Sequence, residues 1–200
     1  TSQTVSLALC GDSTVDLDED IDFSLGNFTN AFVGVQLTTT FTISNDDSAT
    51  VSIDDISQEE GTGGSTSYTF NVSLTNPVDV VVSLQADTAD NSANAGSDYT
   101  AVSAQAINFN ADTTSSQTVT VTVNADSIAE LDESFYVNLS GLSVSGRDVT
   151  FADNQGVSTI INDDAAGITV SSVSVNTHED NLATTATFTL TADSPPTSDV

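Results

Sequence analysis

SSQTVTVTVNADSIAELDE, residues 115–133, decides the organisation of this 200-residue chain, because the chain holds it twice. Residues 1–19 read TSQTVSLALCGDSTVDLDE, with the Gln, the apolar positions and the acidic positions coinciding. In the second copy Val119, Val121 and Val123 alternate with threonines, the period-two pattern of a half-buried strand. The strand runs into a loop dense in carboxylates, so the same words encode both a framework and an acidic strand end.

Working outward, TISNDD at 42–47 matches TIINDD at 159–164. A weaker match relates VSIDDISQEEG (51–61) and TFNVSLTNP (69–77) to ITVSSVSVNTHED (168–180) and TFTLTADSP (187–195). The spacings of 114 and 117 residues define a domain-sized repeat rather than a solenoid turn. The chain therefore divides into the back part of one domain (1–47), one whole domain (48–164) and the front part of another (165–200).

The whole domain reads as strands throughout. Val51 and Ile53 start the first. Tyr68, Phe70, Val72 and Leu74 line one face of the next, and Val78, Val80, Val82 and Leu84 follow the Asn76-Pro77 turn. Ile107 and Phe109 form a short strand, then come Val119–Val123, then Phe135, Val137 and Leu139, and last Val157, Thr159 and Ile161. About seven strands separated by turn signals predict an all-β, tandem array of antiparallel, immunoglobulin-like β-sandwiches. EGTGGST at 60–66 lacks the lysine of a phosphate-binding loop and predicts a turn.

Charge excludes several functions. There are 29 acidic residues against one cation, Arg147, and one imidazole, His178, for a net charge of −28. Phosphate-neutralising nucleic-acid binding and attraction to anionic lipid both need basic residues. A two-histidine zinc site cannot be built, and a serine–histidine–aspartate relay could only use His178. No apolar run approaches the roughly 20 residues of a membrane span, Cys10 is the lone cysteine, and the chain opens in a polar alternating strand rather than a leader. It reads as a piece of a longer array and not as an enzyme.

The carboxylates gather at strand ends: Asp54, Asp55, Glu59 and Glu60; Asp98 in AGSDY; Asp126, Glu130, Asp132 and Glu133; Asp163 and Asp164. Alternate connections of a sandwich lie at one end, so these loops can converge. Converging hard oxygen donors in numbers of six to eight suit calcium better than magnesium, and no thiolate or imidazole cluster favours a softer metal.

GSDY at 96–99, ADSIAELDESFYVNL at 125–139 and TIINDDAAG at 159–167, with INFNAD at 107–112, resemble the Calx-beta domain, a calcium-binding sandwich found in sodium–calcium exchangers, the integrin β4 tail and large bacterial surface proteins. The resemblance covers 48–164, extends to 1–47 as a second half and to 165–200 as a first half. It implies metal ligands at Glu60, Asp98, Asp126, Glu130, Asp163 and Asp164, with matching places at Asp12, Asp16, Asp46 and Asp47 and a further one starting at Glu179 or Asp180. Where strong binders carry two Asp triplets, this chain has Ala125-Asp126-Ser127 and Asn162-Asp163-Asp164. That thinning implies one or two ions rather than four, with affinity in the extracellular range.

Two functions follow. One is structural: a secreted or surface-displayed repeat protein (adhesin, stalk or filament) in which calcium rigidifies domain junctions marked by NDD, its partners being neighbouring domains or like chains. The other is regulatory, a calcium sensor of a transporter or signalling protein. Head-to-tail polymerisation through completion of the split domains is a further possibility, but the two ends leave about 34 residues, the counterparts of 81–114, unsupplied.

Overall fold

The alternation becomes strand pairing in the computed structural model, which describes residues 2–30, 34, 37–171 and 187–192. Among these residues there are strands and no helix. An N-terminal hairpin comprises β1 (Glu19–Ser24) and β2 (Thr38–Ile43). The central sandwich follows: β3 (Ala49–Ile53), β4 (Ile56–Glu59), β5 (Gly64–Leu74), β6 (Val82–Asp90), β7 (Tyr99–Thr100), β8 (Gln105–Phe109), β9 (Gln117–Ala125), β10 (Glu133–Ser143), β11 (Val149–Asp153) and β12 (Gln155–Ile161). A short pair, β13 (Ile168–Val170) and β14 (Leu190–Ala192), ends the described chain.

The two sheets of the sandwich run β4-β12-β10-β6-β8 and β11-β3-β5-β9-β7. Most neighbours are antiparallel, but β4 lies parallel to β12 and β11 parallel to β3. These parallel edges arise because the first predicted strand is two strands. The chain crosses between sheets at Asp54-Asp55, and both carboxylates hold the crossing. Asp54 accepts hydrogen bonds from the Asn71 backbone N–H (2.6 Å) and side-chain amide (2.8 Å), and Asp55 accepts one from the Val157 N–H (2.7 Å). These two acids of the first cluster are therefore structural.

The core lies between the sheets, where Phe135 is the hub. Its ring stacks on Tyr99 at 4.3 Å and meets Phe70 edge-on at 6.3 Å and Tyr68 at 6.4 Å. Tyr99 keeps its hydroxyl satisfied by donating to Asp90 (2.5 Å). The inward faces read from alternation in β5, β9 and β10 are buried as expected. In the strand at 78–84, Val78 is buried but stands outside β6, in a bridge with Val15.

The last strand has the opposite phase to the one predicted. Gly156, Ser158 and Ile160 face the core, and Val157, Thr159 and Ile161 stay half-buried outside. The reason is volume. β12 pairs with β10 so that Ser158 lies opposite Phe135 and Gly156 opposite Val137, and the large rings claim the space. A Cβ at Gly156 would lie 2.6 Å from the Asp54 carbonyl oxygen and 3.0 Å from the Phe70 ring. Gly156→Ala is accordingly expected to cost about 1–3 kcal/mol by overpacking, read as a lower urea midpoint with an unchanged slope.

Among the described residues, Val15 ties the N-terminal segment to the sandwich. Val15 is fully buried in the central core. Its N–H donates to the Pro77 carbonyl (2.9 Å), and its own carbonyl accepts from the Asp79 N–H (3.2 Å). Beside it Arg147 grips Asp79 through two hydrogen bonds of 2.7 and 2.5 Å. The chain's single cation is thus spent on structure.

Candidate metal centre

Register brings the acidic loops to one end. The parallel pairing of Ile161 with Glu59 makes Glu60 and Asn162 leave their strands side by side. Glu133 opposite Ile160 starts β10 at the same place. Gly64 opposite Ala125 ends β9 there, and Tyr99 opposite Val123 draws in the loop that carries Asp98.

A polar cavity of about 260 Å³ results, with Glu60, Asp98, Asp126, Glu130, Glu133 and Asn162 among its walls. One carboxylate oxygen from each of Glu60, Asp163 and Asp164 lies within 4.8 Å of the others. All six acids singled out in the central domain thus border this end: four line the cavity, and Asp163 and Asp164 join through Glu60. Glu60 is only 6% exposed. Burial, reinforced by the charges of Glu130, Asp126, Asp164 and Asp163, pushes its carboxyl up to about 7. Burial likewise raises Asp164, helped by Asp163 and Asp126, and raises the Tyr68 hydroxyl, helped by Glu60 and Asp163.

Backbone hydrogen bonds fix these groups. The Gly61 N–H donates to Asp163 (3.0 Å), and the Ile128 N–H donates to Asp126 (2.6 Å). Asp98 accepts from the Asn94 N–H (2.6 Å), while its own carbonyl accepts from the Asn124 N–H (2.8 Å). The central brace is Asn162, which composition reads as a missing charge. Its side-chain oxygen accepts from the Glu130 N–H (3.1 Å), its side-chain amide donates to the Asp164 carbonyl (2.9 Å), and its N–H donates to Asp132 (3.1 Å). An Asp at 162 could not make the amide donation. The signal for this role was the repeated Asn of NDD, present also at Asn45.

The donor set fits a hard divalent cation. Asp164 Oδ2 is buried without a hydrogen-bond partner among the described residues, and a buried carboxylate oxygen in that state is costly until a cation or an ordered water meets it. Glu60, Asp163 and Asp164 would hold the ion, with Asp126, Glu130 and Asp98 as further oxygen donors; calcium is the cation that an all-oxygen set of this size suits.

The remaining candidates among the described residues do not join this cluster. Asp12 accepts a hydrogen bond from the Thr14 N–H (2.8 Å). The charge of Asp16 helps raise Arg147. Asp46 and Asp47 follow Asn45, whose side chain bonds both the carbonyl and the N–H of Asp47 (3.0 and 3.4 Å). Glu179 and Asp180 lie outside the described residues.

Without metal, the protein is expected to melt lower at pH 8 than at pH 5.5. A carboxyl raised from its ordinary 4.5 to about 7 in the fold binds its proton more tightly there than in the unfolded chain. It therefore contributes stability that is complete below 4.5 and lost as pH rises through about 7. Glu60→Gln should flatten that dependence and raise the pH 8 melting temperature in a chelator-containing buffer.

Comparison with known proteins follows the same lines. The family model described as Calx-beta domain matches residues 44–165. The solved structure titled apo-form Calx CBD1 domain aligns at 21% identity and a TM-score of 0.50, over 59% of this chain and all of that one. CBD12 from CALX1.2 aligns at 22% identity and 0.49, the match spanning 45% of its length. The Calx CBD2 domain aligns at 13% identity and 0.47, over 55% of this chain and 84% of that one. A comparison with curated protein sequences gives no match.

Proposed function

The chain belongs to the Calx-beta domain family, and from that premise we propose that residues 44–165 bind calcium at the acidic end of the sandwich and act as a calcium-responsive regulatory module. One observation carries the reading: Glu60 is buried among four other carboxylates that raise its proton affinity. Such an end is comfortable protonated or with a cation, and strained when empty and ionised. Its three loops and the run after β12 are therefore poised to respond to calcium concentration, which is what a switch element requires.

A second reading is favoured by position. Asp163 and Asp164 close the central domain and directly precede the segment leading to β13. A cation held there would fix the junction and stiffen a surface-displayed or secreted array such as an adhesin, stalk or filament. Affinity separates the two. Calcium titration by calorimetry with magnesium as control should give a dissociation constant of about 10⁻⁷–10⁻⁵ M for the regulatory module and about 10⁻⁴–10⁻³ M for the extracellular structural one. No calcium heat up to millimolar concentration would overturn both.

A further inference from the structure

The end of the sandwich opposite the acidic cavity gathers a second set of contacts, and they reach across to the N-terminal segment. β5 runs from Gly64, beside the cavity, to Leu74 at the far end, and β10 runs likewise from Glu133 to Ser143. Turn 75–79 follows β5 there, and Arg147 follows β10. Two separate stretches meet this turn. The first is the chain entering β3: the Asn76 side-chain amide donates to the Ser48 carbonyl (2.8 Å), and the Thr50 N–H donates to the Thr75 hydroxyl (2.9 Å). The second is Val15, in a parallel bridge with Val78. Its N–H and carbonyl bond to Pro77 and Asp79, on either side of that residue, as in strand addition.

The loop that carries Val15 is a copy of one already described. By the 114-residue spacing, Asp12, Val15, Asp16 and Asp18 hold the places of Asp126, Ala129, Glu130 and Asp132. Ala129 is half-buried in its own domain, whereas Val15 is 0% exposed and belongs to the central core with Val78 and Val149. The added cover comes from the next domain. Asp16 is half-buried beside it. An acid brought to this end approaches Asp79, and neighbouring carboxylates repel. Arg147 offsets this. Its guanidinium donates to both Asp79 oxygens. Those hydrogen bonds, and then the charges of Asp79 and Asp16, hold it firmly protonated. The chain's single Lys or Arg thus stands where an acidic loop arrives.

We propose that turn 75–79 and Arg147 form a receptor for the acidic loop of the preceding repeat, clamping successive domains together at two points without a metal ion. A single covalent linker is a hinge; a second attachment at Val15 fixes the angle, because one turn holds both stretches. The contact itself identifies the partner: an extended loop of a like domain, with an apolar residue that fills the site and an acid beside it whose charge acts on the guanidinium. Recognition resides in Arg147 and in the volume at position 15. This joint is distinct from a junction fixed by a cation at Asp163 and Asp164, and it holds whether or not calcium binds there.

Amide hydrogen exchange on the full chain, in chelator, reads the joint directly. The Val15 and Asp79 N–H groups, which both bond across it, should be strongly protected, and adding calcium should leave their rates unchanged. Val15→Asp should release the Asp79 N–H while the amides of the β5–β9 ladder stay slow. Arg147→Gln should speed exchange at Val15 and Asp79 by about tenfold or more, the loss of a charge-assisted hydrogen bond, with the same ladder as the reference for folding. Should Val15→Asp also loosen the ladder, Arg147→Gln, which lies outside the core, still decides. Three results would each overturn the proposal: a Val15 N–H that exchanges freely while the ladder is slow, protection that appears only with calcium, or rates untouched by Arg147→Gln.

Discussion

Millimolar calcium is expected to raise the melting temperature of the central domain by roughly 10 °C, and Asp163→Ala combined with Asp164→Ala to remove that rise. A ligand present at a hundred times its dissociation constant stabilises the folded state by about 2.7 kcal/mol, and each kcal/mol moves the midpoint of a domain of this size by about 4 °C. The double variant is the informative one because it takes away two of the three carboxylates that lie within 4.8 Å of one another without touching the core. It also relieves the charges that raise Glu60, so the metal-free variant should melt no lower than the metal-free parent at pH 8. Calcium response and apo stability thus move apart. A calcium-induced rise that survives the double substitution would place the ligands elsewhere. The response should also weaken below pH 7, because the proton on Glu60, held up to about 7, competes with the cation for the same oxygens.

Phe135→Ala should destabilise the sandwich by about 3–5 kcal/mol, a large fraction of the roughly 5–15 kcal/mol that holds an ordinary domain folded. The ring is fully buried and touches three others: a stacked partner at 4.3 Å and two more near 6.3 Å. Collapse around the deletion is limited because Tyr99 is also pinned by its hydrogen bond to Asp90. Phe135→Leu should lose less, since it keeps part of the volume. Chemical denaturation followed by far-ultraviolet circular dichroism measures both; a cost below 1 kcal/mol for the alanine variant would mean that the core does not rest on this ring.

Both effects join residues far apart in sequence, and this marks how much could be read in advance. Alternation in stretches such as SYTFNVSL at 67–74 is a local property: a strand with one face toward a core must alternate, so the inward faces of β5, β9 and β10 were legible residue by residue. β12 was not. In Gln155–Ile161 Val157 points away from the core while Gly156 and Ser158 point in, because these small residues face Val137 and Phe135 across the pair. A small inward residue beside a large one satisfies packing as well as the reverse, and alternation cannot tell which holds. Asn162 was misread for a related reason. Its sequence position suggests a lost ligand, while its three hydrogen bonds exist only once β10, β12 and the 126–132 loop are side by side.

By itself the sequence determined the all-β class, the repeat of 114–117 residues and the recurrence of carboxylates at strand ends, because periodicity and composition are properties of the chain alone. Only the tertiary structure decided which carboxylates meet. Asp54 and Asp55 close a crossing between sheets, and Glu60, a few residues on, is buried beside Asp163 and Asp164. All are strand-end acids; what separates them is the register of two sheets, which sets whether an anion finds an N–H or another anion. The net charge of −28 thereby resolves into hydrogen-bonded braces, solvated surface, and one crowded end where a buried Asp164 oxygen meets no hydrogen-bond donor among the described residues.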